Sequence, residues 1–245
     1  MNTNKPLHII ADANIWGATH AFAALNDFDV HLQILEHHEI TAESVKDVDI
    51  LLVRSSTKIN ASLLDGSQVS FVGTATIGDD HVDKIYLQSQ GIEFSSAAGS
   101  STESVVEYML ASFFHLEQQG KLSFTEDTLG IIGVGRIGTL LDSACQKLGF
   151  KTLHNDPPRQ QDEGDKGFHD LNHLLEHADT LTLHTPLNIG GEYPTTHLIG
   201  EDELKKFKGK GIINAGRSQC LDNQALLNWL NENEERFAIL DCWES

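Results

Sequence analysis

Apolar residues fall in short runs near positions 7–11, 28–35, 49–54, 69–73 and 92–95, each the length of a strand. Helix-compatible stretches such as 41–47 and 80–90 lie between them. Alternation of this kind predicts a parallel sheet with helices on both faces. The rhythm returns later, with strands predicted from Leu129 and near 151–155, 180–184, 211–214 and 237–241, and helices near 169–177, 201–207 and 222–233. The fold class read from this pattern is α/β, with two doubly wound parallel sheets in separate domains, residues 1–100 and 101–245. At the junction, Ser100-Ser101-Thr102-Glu103 has the spacing of a capping box. It opens a predicted hinge helix whose Val105, Val106, Met109, Leu110, Phe113 and Phe114 share one face, read as core or subunit contact. Asp162–Gly167 and Asn188–Pro194 are polar, glycine-bearing loops.

The strand from Leu129 runs into Gly133-Val134-Gly135-Arg136-Ile137-Gly138, a G-x-G-x-x-G. The first glycine suits a tight turn, the second lets a pyrophosphate approach the backbone, and the third lets the following helix pack on the strand with its amides facing the phosphates. Ile137, Leu140, Leu141, Ala144 and Leu148 follow at helical spacing, Gly149 closes the helix, and the next strand ends at Asp156. A carboxylate about 20 residues beyond the first glycine can accept hydrogen bonds from the adenosine ribose and repel a 2′-phosphate. The reading is a Rossmann-like unit that binds NAD rather than NADP, with Gly133, Gly135, Arg136, Ile137, Gly138 and Asp156 as cofactor residues. An ordinary glycine-rich turn is the alternative.

Lys plus Arg total 17 against 36 for Asp plus Glu, a net charge of −19. That charge repels phosphate backbones and argues against nucleic acid as a partner. Cys145, Cys220 and Cys242 include no C-x-x-C pair, which suggests neither a disulfide framework nor a zinc cluster. No apolar run of about 18 residues or signal-peptide core is seen, so membrane association and export are not expected and the cytoplasm is.

In doubly wound folds ligands sit beyond the C-terminal ends of the strands. Arg217 follows the predicted strand 211–214, where its guanidinium could grip an α-hydroxy or α-keto carboxylate bidentately and polarise the adjoining carbonyl. Asp241, at the last strand end, could take the nicotinamide carboxamide, and Thr185 could line the cleft. In the first half, Val53–Lys58 and Val72–Gly78 are post-strand loops whose hydroxyls and amides would suit a phosphorylated anion. Turns stabilised by Ser and Thr explain them equally well. The histidines show no metal spacing: His37, His38, His169, His173 and His177 read as solvated residues, and His81 and His184 lie nearer the presumed cleft, neither read as the acid/base.

Val53-Arg54-Ser55, the run Thr74–Asp83, the glycine motif, Asp156-Pro157-Pro158-Arg159, His184-Thr185-Pro186-Leu187, Asn214-Ala215-Gly216-Arg217 and Leu240–Glu244 together resemble the D-2-hydroxyacid dehydrogenases over essentially the whole chain. The resemblance implies NAD-dependent oxidation of a small phosphorylated 2-hydroxy acid, 4-phospho-D-erythronate, in pyridoxal phosphate synthesis, by a homodimeric full-length parent. It implies that Ser55 and Thr76 bind substrate, that Asp156, Thr185, Ala215 and Asp241 bind NAD, and that Arg217 is the catalytic arginine. A sister activity, on 3-phosphoglycerate, or a non-catalytic NAD-binding protein are the alternatives.

Departures from the family pattern are Gly216 and Ser218 around Arg217, where a Cys or Ser and a Gly are commoner, and Ala97-Ala98-Gly99-Ser100, which lacks a proline. The pattern also continues beyond Asp-x-Trp-Glu to a second Glu and a catalytic His, which the 245 residues do not include. The expectation is therefore a C-terminally truncated chain, ending inside its dinucleotide-binding domain, that turns over slowly or not at all and leaves apolar faces of its first sheet uncovered.

Overall fold

The computed structural model of the chain describes residues 6–25, 27–164 and 167–244. Its backbone divides into two compact units, Met1–Ser100 and Ser101–Ser245, each built round its own sheet. In the first unit β1 (Leu7–Asp12), α1 (Ala18–Ala23), β2 (Val30–Leu35), β3 (Ile50–Val53), α2 (Ala61–Leu64), β4 (Phe71–Thr74), α3 (Lys84–Gln90) and β5 (Glu93–Ser96) follow in chain order. The five strands are parallel, in the order β2-β1-β3-β4-β5. Ile10, Leu51, Val53, Val72 and Leu87 fill the core.

Two expected helices differ here. Residues 42–47 form a run of turns rather than a helix. The backbone amide and hydroxyl of Ser44 bond to Thr41, and the Thr41 amide bonds back to the Ser44 hydroxyl, so local side-chain bonds compete with helix propagation. Helix α3 starts at Lys84 instead of residue 80, because the Asp83 carboxylate accepts the Tyr86 amide and fixes the start.

The second unit contains α4 (Thr102–Gln118), β6 (Thr128–Ile132), α5 (Arg136–Leu148), β7 (Lys151–Asn155), α6 (Pro157–Glu163), α7 (Leu171–His177), β8 (Thr180–Leu183), α8 (Glu201–Lys206), β9 (Gly211–Asn214), α9 (Asn223–Asn231) and β10 (Phe237–Leu240). Its sheet is parallel throughout, ordered β10-β9-β8-β6-β7. Strand pleating sends neighbouring side chains to opposite faces. Leu129 and Ile131 of β6 and Ile213 of β9 pack with α4 and α5, whereas Ile132 and Ile212 pack with α7, α8 and α9. Helices thus cover both faces, the doubly wound arrangement read from the sequence. The order reverses between β6 and β8, which puts the switch point of the sheet at their C-terminal ends.

Helix α4 begins after Ser101, yet the capping box does not form: Ser101 is not extended (φ −113°, ψ 17°) and its side chain caps nothing. Val106, Met109, Phe113 and Leu116 are its buried face, and Phe114 falls outside it, 50% exposed and edge-on to Phe124. Leu140 of α5 is likewise exposed. Helix α6 opens on two prolines capped by Asp156 and takes in Asp162 and Glu163 from the expected loop. Asp165 and Lys166 of that loop lie outside the described residues. His169, His173 and His177 are a stack of rings 4.2–4.3 Å apart, with His169 and His173 half-buried, not separate solvated residues.

Phe113→Ala is expected to destabilise the second unit by about 3–5 kcal/mol, the cost of emptying a buried aromatic site. Phe114→Ala should cost about 1 kcal/mol or less. Urea unfolding followed by circular dichroism checks both; equal losses would overturn the placement of the α4 core face.

Candidate functional site

The turn from β6 into α5 gives each glycine of the motif a separate task. Gly133 adopts φ +86°, and a Cβ there would lie 2.9 Å from both the His184 carbonyl carbon and the Thr185 nitrogen, so the turn lies directly on the end of β8. Gly138 supports the Gly133 carbonyl, leaving under 3.0 Å for a Cβ. Gly135 has nothing within 4 Å of its absent Cβ, an open approach to backbone. It is also the N-cap of α5, and no side chain caps that helix start. Arg136 is exposed beside an open groove that Gly135, Thr139 and Arg159 also line, while the Ile137 side chain packs into the core.

Asp156 directly follows β7 with both carboxylate oxygens engaged. Oδ2 accepts the Val134 amide at 2.8 Å, and Oδ1 accepts the Arg159 amide at 3.1 Å. Arg159 returns to the glycine turn, donating Nη1 to the Val134 carbonyl. Sequence reading assigned Arg159 no task; the i, i+3 spacing from the capping Asp156 carried the signal. A cavity of about 260 Å³ lies beside Asp156, lined by Gly133, Pro157, Thr185, Pro186, Tyr193 and Leu198 among others. Thr195 closes its wall, donating to the Pro186 carbonyl and accepting the Asn188 amide, both at 2.7 Å. The Thr185 hydroxyl is buried and bonds to none of the described residues.

His184, expected nearer the cleft but not as an acid or base, follows β8 against the Gly133 turn with its ring buried. Its Nε2 pairs with the Thr182 hydroxyl at 2.9 Å, and burial lowers its pKa to about 4, so the ring is neutral and offers no proton to a ligand near neutral pH.

At the end of β9 the buried side chain of Asn214 makes the turn that carries Arg217. Its Oδ1 accepts the Gly216 amide and its Nδ2 donates to the Arg217 carbonyl, both at 3.0 Å. Ala215 follows β9 directly, its amide bonded to the Leu183 carbonyl, and Arg217 is half-buried beyond it. Asp241 is exposed just past β10, its amide on the Asn214 carbonyl. Glu244 holds the following segment through His197 Nε2 at 2.6 Å, which raises the histidine pKa. The β6, β7, β8, β9 and β10 ends of the second unit therefore carry the glycine turn, Asp156, Thr185, Ala215 with Arg217, and Asp241.

Ser55 and Thr76 belong to the first unit, after β3 and β4. Ser55 is exposed at the switch point of that sheet. Thr76 is tied into a chain: its hydroxyl donates to the Gly78 carbonyl at 2.8 Å and pairs at 2.7 Å with Thr74, which meets His81 Nε2 at 3.1 Å.

Residues 102–245 match the family described as D-isomer specific 2-hydroxyacid dehydrogenase, NAD binding domain. The chain belongs to this family. Erythronate-4-phosphate dehydrogenase of Escherichia coli O139:H28 is 43% identical over 240 residues, 97% of this chain and 62% of that protein. The Proteus mirabilis protein of the same name is 42% identical over 97% of this chain and 63% of its own length. The chain thus spans a little over three fifths of these curated relatives. Among solved structures, D-lactate dehydrogenase from Aquifex aeolicus, complexed with NAD and lactic acid, superposes at TM-score 0.81 with 23% identity over 97% of this chain and 78% of that one. NAD⁺-bound 3-phosphoglycerate dehydrogenase from Entamoeba histolytica gives TM-score 0.77 and 23% identity over 98% and 82%. The family match places NAD binding in the second unit, and the uncapped α5 start, open Gly135 and unbonded Thr185 hydroxyl are consistent with that cofactor. No helix among the described residues is long and apolar enough to cross a membrane.

Two measurements probe this junction. Gly138→Ala forces a Cβ onto the Gly133 carbonyl and should cost about 1–3 kcal/mol in urea unfolding, with the turn displaced. His184 titrates near 6.5 when unfolded and near 4 when folded, so the unfolded chain holds the extra proton between those values. Its contribution is complete above about pH 6.5 and is lost as pH falls toward about 4, about 3 kcal/mol in all. His184→Gln should flatten that part of the stability–pH curve; an unchanged slope would show that the ring is not sealed.

Proposed function

We propose that the chain carries the NAD-binding residues and first-unit substrate residues of an enzyme that oxidises 4-phospho-D-erythronate at C2 to 3-hydroxy-2-oxo-4-phosphobutanoate, a step toward pyridoxal 5′-phosphate. One observation carries the reading: an uncapped helix start with an open glycine, Gly135, beside the carboxylate of Asp156. The curated relatives' names supply the substrate.

In this reading Gly133, Gly135, Arg136, Ile137 and Gly138 form the diphosphate cradle, with Ile137 contributing its amide while its side chain anchors the helix. Asp156 accepts the adenosine ribose hydroxyls on lone pairs that the Val134 and Arg159 amides leave open. The cavity between Pro157, Pro186 and Leu198 takes the flat adenine ring. Thr185, Ala215 and Asp241 line the path to the nicotinamide, and the Thr185 hydroxyl gains there the partner it lacks. NAD, when bound, supplies the hydride acceptor. Arg217 holds the substrate carboxylate and polarises the carbonyl that forms at C2. Ser55 and Thr76 bind the substrate, Thr76 from a turn already stiffened by its bonds to Gly78 and Thr74. In this reading the enzyme works in the cytoplasm as a homodimer, with no nucleic acid or membrane partner.

Gly135→Ala provides the sharpest test, because the new methyl meets no protein atom within 4 Å. Its stability should change by about 1 kcal/mol or less. NADH affinity, read from cofactor fluorescence, should fall at least about tenfold, equivalent to about 1.4 kcal/mol. Retained affinity would remove the diphosphate from this turn. For the substrate, NADH formation by the full gene product is measured with 4-phosphoerythronate and 3-phosphoglycerate. Activity on the former alone supports the reading, and activity on the latter alone reassigns the substrate. NADH binding with neither activity makes the protein a binding module.

A further inference from the structure

A second cation stands beside the ribose carboxylate of this cofactor site, and its binding edge is already occupied. Arg159 donates Nη1 to the Val134 carbonyl, and the same Nη1 lies 3.3 Å from the Thr139 hydroxyl. Its opposite edge, Nε and Nη2, is taken bidentately by Glu163 at 2.6 and 3.0 Å. The Val134 peptide groups are thus gripped on both sides, its N–H by Asp156 and its carbonyl by Arg159. Asp156 is close enough to favour the charged guanidinium electrostatically, alongside the larger effect of the Glu163 bond. The Glu163 pair is half-exposed and faces the groove that Gly135 and Arg136 share.

A carboxylate and a phosphate monoester bind a guanidinium edge in the same forked geometry. In dinucleotide sites an arginine near the ribose is also what accommodates a 2′-phosphate. We propose that Arg159 is a latent 2′-phosphate ligand and that Glu163, by filling its Nε–Nη2 edge, is a specificity-determining residue for NAD over NADP. Asp156 repels the phosphate directly. Glu163 acts one step out, neutralising the cation that would otherwise offset that repulsion and occupying the fork the phosphate would use. This inference rests on the proposed cofactor site and adds to it a residue that need not touch the bound dinucleotide. The i, i+4 spacing on α6 keeps the mask in register with Arg159.

The test measures NADH and NADPH affinities by fluorescence for the wild type, Asp156→Ser, Asp156→Ser/Glu163→Gln and the same double variant carrying Arg159→Ala. Asp156→Ser should narrow the preference by removing the repelling charge. Adding Glu163→Gln should raise NADPH affinity relative to NADH by about a further tenfold, the scale of a charge-assisted fork. Adding Arg159→Ala should abolish that gain. Circular dichroism melting confirms folding, and Glu163→Gln alone, which retains the Asp156 contacts to the glycine turn, repeats the comparison if the Asp156 variants unfold. An unchanged NADPH-to-NADH ratio on Glu163→Gln, or a gain that survives Arg159→Ala, overturns the proposal. Absence of NADH binding to the folded wild type overturns the cofactor site itself, a distinct outcome.

Discussion

The second unit depends on backbone packing against backbone where β6, β8 and β9 end. Gly133 rests on the His184–Thr185 backbone, Gly138 on the Gly133 carbonyl, and a Cβ at Gly216 would lie 3.0 Å from the Thr185 carbonyl oxygen. At Gly133 and Gly138 a side chain would collide with backbone, and its absence lets the turn after β6 lie directly on the end of β8. The same closeness carries a cost. His184 Nδ1 and the Thr185 hydroxyl are buried without partners among the described residues, the kind of debt a fold retains where a ligand settles part of it. The His184 ring lies inward and only lowers stability in acid, whereas Thr185 lines the cavity beside Asp156.

Both units use one topology with different chemistry at the strand ends. The first offers hydroxyls: Thr74, Thr76 and His81 form a bonded chain after β4, and Ser55 follows β3. The second offers glycine backbone, carboxylates and a guanidinium. A parallel sheet supplies only the common edge from which these loops project, so the fold by itself names no reaction. In a chain with net charge −19, cations near the strand ends are few and carry unusual electrostatic weight. Arg217 stands on a rigid turn and Arg159 is masked by Glu163.

Legibility followed the range of the forces involved. The β6–α5–β7 unit could be read because its glycines, apolar spacing and terminal Asp156 each encode a local conformation. The strands were legible within a few residues, since burial on both faces leaves continuous apolar runs such as Leu129–Ile132. Residues 42–47 misled because helical composition does not reveal that Thr41 and Ser44 will bond one another. Pro157 and Pro158 obscured α6, although proline is favoured in a first helical turn. Position after a strand placed His184 nearer the cleft; only the tertiary packing of β8 reveals that its ring is buried. The second bonds of Asp156 and Arg159 to Val134 cross from β7 and α6 to another loop, beyond what spacing can encode.

Asn214 shows how such crossings decide the placement of a charged group. An arginine side chain on an exposed loop spreads over many rotamers, and ordering it opposes binding. Here the backbone beneath Arg217 is held by the buried Asn214 amide group, which takes the Gly216 amide and gives to the Arg217 carbonyl. Gly216 lets that turn lie against Thr185, and the Ala215 amide bonds to the Leu183 carbonyl from the adjoining strand. A Cβ at position 216 would also stand 3.2 Å from the Thr185 nitrogen, a tight fit that the glycine relieves. Part of the ordering of Arg217 is thus supplied through its own loop backbone, by groups that need not contact the guanidinium.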